Sequence, residues 1–183
     1  MRFIYSILLL TICTLSSAKS YDVASPSGNN IITIDISSGI FWNVVHNGKE
    51  AISPSPISLS LSDGRILGLN PRVKSIKSGF SSNVRHSDFY RKHDIKEEYN
   101  SLTISFKDGF ALEFRAFDSG VAYRFITSMK ESFRVSDELV CFNFNDDFAP
   151  FIPYTCYPRR NDPFCVSFES FYDRNRLSEM VAD

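Results

Sequence analysis

Glu169 is flanked by Phe168, Phe171 and Tyr172, and a carboxylate in such aromatic company is paired, metal-bound or exposed on a mixed face. Residue type alone favours exposure, since acidic side chains are seldom buried without a partner. Tyr154, Tyr157, Phe164 and Phe168 could offer flat faces to sugar rings, but filling a core or covering a domain interface is the commoner use of such residues. Hydrolysis of a glycosidic bond needs two carboxyl groups, one held protonated as acid and one ionised as base or nucleophile. The pairs Glu97/Glu98 and Asp146/Asp147 suit this poorly, because neighbours on a strand point to opposite faces. His86 and His93 could meet across two strands and hold a metal, although histidines near turns are ordinarily surface residues. The chain contains no GxSxG, HExxH, phosphate-binding glycine loop or EF-hand spacing. No catalytic residue is assigned within it.

Strands must position these side chains, since hydropathy alternates at period two along most of the chain after residue 20. Ile32, Ile34 and Ile36 alternate with Thr33 and Asp35, and Ile57, Leu59 and Leu61 with serines. Leu102, Ile104 and Phe106 lead through Lys107-Asp108-Gly109 into Phe110, Leu112, Phe114 and Ala116. Val121, Tyr123 and Phe125 follow after Asp118-Ser119-Gly120, so these two runs predict a hairpin in which Gly120 supplies a positive φ. Phe114, Val121, Tyr123 and Phe125 are expected in the core. Val140, Phe142 and Phe144 predict a later strand, with Cys141 a core thiol. Residues 75–96 are polar and predict a loop with a weakly marked strand. No segment predicts an amphipathic helix of three turns. Many short strands, punctuated by Asn47-Gly48 and Asp63-Gly64 and rich in phenylalanine, predict an all-β fold, a large antiparallel β-sandwich. The prolines of residues 147–164 predict an ordered loop or an edge.

Residues 1–18 predict a secretory signal peptide: Arg2, an apolar run from Phe3 to Leu15, then Ser16-Ser17-Ala18 at the cleavage site. Ile12 before Cys13 argues against a lipoprotein signal. The mature chain, 19–183, is expected to be exported, periplasmic or secreted, with no membrane association after cleavage. The 20 basic residues include Arg2 and stand against 21 acidic ones, so the mature charge of about −2 gives no reason to expect nucleic acid as a partner. Three of the four cysteines remain, Cys141, Cys156 and Cys165. They allow at most one internal bridge, whose pairing the spacing does not fix.

Four segments in order resemble the N-terminal β-sandwich domain of glycoside hydrolase family 97. They are Ser25-Pro26-Ser27-Gly28-Asn29, then Asn47-Gly48-Lys49-Glu50-Ala51-Ile52-Ser53-Pro54-Ser55 with Ile57-Ser58-Leu59, then Glu98-Tyr99-Asn100-Ser101-Leu102-Thr103-Ile104, and finally the hairpin at 114–125. The family includes exported α-glucosidases and α-galactosidases, so the resemblance implies a galactose-mutarotase-like super-sandwich that packs on a catalytic (β/α)8 barrel. That barrel would carry the catalytic carboxylates, and this chain is expected to be a fragment, incomplete at the C-terminal side of its sandwich and inactive alone. Phe168-Glu169-Ser170-Phe171-Tyr172, followed by Leu177-Ser178-Glu179, resembles the family stretch that reaches the active-site mouth. Glu169 is thereby implied as a calcium ligand, effective only with the barrel, and an α-linked oligosaccharide as the partner. Ser87-Asp88-Phe89-Tyr90-Arg91-Lys92 departs from the tryptophan-rich stretch common in the family, which leaves the role of that loop open. The alternative is a stand-alone periplasmic carbohydrate-binding sandwich without catalysis, using Tyr154 and Tyr157.

Overall fold

The computed structural model describes residues 18–89, 91–153 and 171–180. The chain runs through β1 (Lys19–Ala24), β2 (Asn30–Ile36), β3 (Ile40–His46), β4 (Lys49–Leu61), β5 (Ile66–Leu67), β6 (Val73–His86) and β7 (Asp94–Phe106). It continues through β8 (Phe110–Phe117), β9 (Gly120–Thr127), β10 (Val135–Val140), β11 (Phe151–Pro153) and β12 (Tyr172–Arg174), before a 3-10 turn at Leu177–Glu179. All the pairings are antiparallel. One sheet has the order β1-β2-β3-β4-β10, with β5 also on β4; the second has the order β6-β7-β8-β9; β11 and β12 make a separate ribbon.

Alternation builds the core. Ile32, Ile34, Ile36, Ile40, Trp42, Val44, Ile57, Leu59 and Leu61 face inward from the first sheet, and Leu102, Ile104, Phe106, Phe110, Leu112, Phe114 and Ala116 from the second, in one apolar cluster. The intervening Thr33, Asp35, Ser58 and Ser60 lie on the wetter face, as strand geometry requires. The all-β sandwich is thus present. Phe114 is fully buried, whereas Val121, Tyr123 and Phe125 are half-buried against the cluster.

Asn47 (φ 49°) and Gly48 (φ 75°) join β3 to β4 in a two-residue turn with both residues left-handed, the twist-matched hairpin connection. The hairpin at 118–119 differs from expectation. Gly120 pairs with Phe117 as the first residue of β9 and does not have a positive φ. The turn is held by side chains from the other sheet instead.

Two more expectations are corrected. Residues 75–96 are chiefly strand: β6 and β7 pair continuously from Ile76↔Ile104 to His86↔Asp94. β8 covers β7 only from Tyr99 to Ser105, so the distal ribbon is wet on both faces and needs no hydropathy alternation. The later strand is β10, and it ends at Val140; beyond it Asn143 makes an isolated bridge to Ser53. β10 lies at a sheet edge and is exposed throughout, so Cys141 is a half-buried free thiol rather than a core one. Its Sγ–H donates to Asn143 Oδ1 at 3.2 Å.

Candidate functional site

Three of the motif segments prove to meet at joints between the sheets, and the fourth ties β4 to the chain after β10. Ser27 sits in the turn between β1 and β2, and its backbone N–H and hydroxyl both donate to Asp118 Oδ1, at 2.9 and 2.6 Å. Those bonds hold the Asp118 carboxyl below its ordinary value. Buried Asn30 donates from Nδ2 to the carbonyls of Phe117 and Asp118, at 2.8 and 3.2 Å, and its Oδ1 pairs with His46 Nδ1 at 2.6 Å. Asn100 of β7 donates to the Ala24 carbonyl at 2.8 Å. The Ser53-Pro54-Ser55 segment lies at a register shift between β3 and β4. There Ser55, fully buried, accepts from the Asn143 N–H at 2.8 Å while donating to the Ser53 carbonyl. The polar residues in these motifs hold the sandwich together.

A second construction brings distant parts of the chain together at the C-terminal side. β11 and β12 pair from Phe151↔Arg174 to Pro153↔Tyr172, so the chain on either side of residues 154–170 meets in one stem. Asp147 accepts from the Ser178 N–H and hydroxyl, each at 2.9 Å, and lies 3.5 Å from Arg176 Nη1. The two Ser178 bonds and the Arg176 guanidinium lower the Asp147 pKa. Leu177 N–H donates to the Phe148 carbonyl, and Arg176 N–H to Glu179 Oε2. An open depression of about 750 Å³ lies beside this stem, lined by Phe142, Phe144, Asp146, Asp147, Leu177 and Met180. Sequence reasoning missed the Asp147–Ser178 tie. Its only signal was an aspartate at one end of an aromatic-rich stretch and a serine at the other.

Residues 23–183 match the family described as Glycosyl-hydrolase 97 N-terminal. The chain belongs to glycoside hydrolase family 97. It is 34% identical over 185 residues to a retaining α-galactosidase of Bacteroides thetaiotaomicron, an alignment covering 98% of this chain and 28% of that enzyme. The fold matches a family 97 enzyme from Pseudoalteromonas sp. strain K8, solved with acarbose, at a TM-score of 0.64 and 20% identity over 73% of this chain and 22% of that one. A β-arabinopyranosidase structure matches at a TM-score of 0.67 and 20% identity, over 84% of this chain and 26% of that one. The chain therefore spans about a quarter of the length of these relatives.

Within this family 97 domain, Glu169 lies outside the described residues, as do Tyr154, Tyr157, Phe164, Phe168, Cys156 and Cys165. A hard cation takes six to eight oxygens, and the described residues at the stem do not supply them: Asp147 is engaged by Ser178 and Arg176, and Glu179 by Arg176. Glu97 and Glu98 separate across β7 as expected, whereas Asp146 and Asp147 lie outside any strand and both line the depression. Glu97 faces Arg85 and, at 3.8 Å, Arg115, while Glu98 faces Ser82 across the ribbon and Lys96 on its own strand. On the outer face Arg115 and Arg124 both reach Glu113, and the Arg115 guanidinium lies 4.6 Å from the centre of the Tyr99 ring. These carboxylates serve a partly buried ion-pair ladder. His86 and His93 do meet, with ring centres 5.8 Å apart and planes inclined by 20°.

Proposed function

We propose that this chain is the N-terminal sandwich of an exported glycosidase acting on α-linked sugars. It packs on a catalytic (β/α)8 barrel and contributes to the mouth of that barrel's active site. The observation that carries this is the β11–β12 stem. It joins the chain before residue 154 to the chain after residue 170, so that we read the intervening stretch as one excursion, and the family match runs through it to residue 183. The alignment with a retaining α-galactosidase supports α-linked substrates. Glu169 is the residue of that excursion we assign to calcium, with the remaining oxygen ligands coming from the barrel.

On this reading the sandwich has three tasks: to hold the excursion in place, to shape the mouth, and to present one carboxylate. The acid and the nucleophile or base belong to the barrel, so the purified chain hydrolyses neither p-nitrophenyl α-galactoside nor the α-glucoside, and it binds calcium weakly or not at all. Hydrolysis by the chain alone, or tight stoichiometric calcium binding in isothermal titration, contradicts that division of labour.

The direct test is a chimera in which this chain replaces the corresponding part of the Bacteroides α-galactosidase. Activity on p-nitrophenyl α-galactoside is expected, and a folded but inactive chimera rejects the packing. Replacing Glu169 by Gln in the active chimera is expected to weaken calcium affinity or activity by about tenfold or more, the usual scale for disturbing a metal's surroundings. An unchanged calcium titration rejects the role of Glu169.

A further inference from the structure

The tip of the β6–β7 ribbon holds a group of side chains that the proposed packing does not use. His86 closes β6, Asp94 opens β7 opposite it, and Ser87 N–H donates to the His93 carbonyl at 2.8 Å, which continues the ladder one step further. This brings one ligand atom each from His86, Asp88 and His93 to within 4.8 Å of one another. His86 has both ring nitrogens engaged: Nδ1 lies 3.0 Å from Asp94 Oδ1, and Nε2 lies 3.2 Å from Asp88 Oδ1.

We propose that this tip is a binding site for a zinc-class ion, with His86, Asp88 and His93 as ligands and Asp94 as the group that orients His86. Two imidazoles and one carboxylate are a borderline-soft donor set suited to Zn2+ rather than to calcium. A carboxylate on the far nitrogen of a metal-binding histidine is the usual means of fixing its tautomer and ring orientation. With Asp94 on Nδ1, Nε2 is the nitrogen that faces Asp88 and the prospective ion. Zinc sits about 2.0–2.2 Å from such donors, so the three groups must draw inward by roughly an ångström. All three are exposed side chains beside a turn and are free to do so. Three protein ligands leave a fourth position open to water or to another molecule.

The ion would have a structural consequence. Residues 82–86 and 94–98 form a ribbon that β8 does not reach, and two strands alone are marginally stable in water. A clip at the far end closes the loop where the ladder is weakest.

Titration of Zn2+ into the purified metal-free chain tests the site, with binding followed by calorimetry and the imidazole proton resonances by NMR. One equivalent is expected to bind with Kd in the micromolar range. The His86 and His93 resonances should shift together, while those of His46, held by Asn30 in the sandwich, stay in place. His86→Ala and His93→Ala should each weaken binding by about tenfold or more, and Asp94→Asn by about tenfold, with unchanged circular dichroism. If Asp88 and Asp94 merely form an ion pair with a protonated His86, Zn2+ either fails to saturate the chain or binds equally well to the His93→Ala variant. Either result overturns the proposal.

Discussion

At the scale of single residues, the polar side chains of the motif segments do structural work that their chemistry does not advertise. Asn30 is 4% exposed, and its amide satisfies two carbonyls of the β8–β9 turn as well as the His46 ring. Truncation strands those partners, so Asn30→Ala should cost about 1–3 kcal/mol, read as a lowered urea midpoint with unchanged slope. Asp118 gives the same joint a dependence on pH. Its folded pKa is lowered by Ser27, so the unfolded state takes up the proton first as pH falls. The contribution is complete above the unfolded value and is lost as pH falls through the folded one. The stability difference between the wild-type chain and Asp118→Asn should accordingly hold steady at neutral pH and shrink below the ordinary value of 3.8. A difference that stays constant down to pH 2 would show that the carboxylate is not what Ser27 recognises.

At the scale of elements, the two glycines that open and close β8's turns behave differently. Gly109 precedes β8 at φ 81°, whereas a Cβ on Gly120 meets no atom within 4 Å and its backbone is not left-handed. Gly109→Ala should therefore destabilise by roughly 1–2 kcal/mol, while Gly120→Ala should be neutral or stabilising by up to about 1 kcal/mol through the unfolded chain. Thermal melts of the two variants decide this, and equal losses would restore the expectation that Gly120 makes the turn. Alternation identified β2, β4, β7 and β8 because each buries one face of the sandwich, and that contrast is written in Ile34 against Asp35 or Leu112 against Glu113. It failed for β6 and β10, which lie at sheet edges where neither face has to be apolar. The Gly120 turn was misjudged because its stabilising partners, Ser27 and Asn30, lie far away in sequence. For the same reason the stem was legible only as a proline-rich stretch: Asp147 and Ser178 are 31 residues apart.

At the scale of the whole molecule, the sandwich has two dissimilar sides. The side built from β1, β2, β7, β8 and β9 is closed by the motif joints. The other carries β10, whose outer edge has no strand partner among the described residues, and exposes Phe142, Phe144, Phe148 and Phe151 around the stem. Contiguous apolar surface of this kind marks a place where protein packs on protein, and an unpaired strand edge beside it invites association. On the proposed reading that surface faces the barrel, so the chain alone should self-associate with increasing concentration in sedimentation velocity. Phe144→Ser combined with Phe148→Ser should suppress that association. The T-shaped pair these rings form, 6.0 Å apart, lies outside the buried cluster, so the sandwich should retain its melting transition. The same double substitution in the active chimera should instead lower the thermal stability of the whole enzyme, because there it removes apolar contact at a packed boundary. If the wild-type chain stays monomeric and the chimera is indifferent to the substitutions, the barrel packs on some other face of the sandwich.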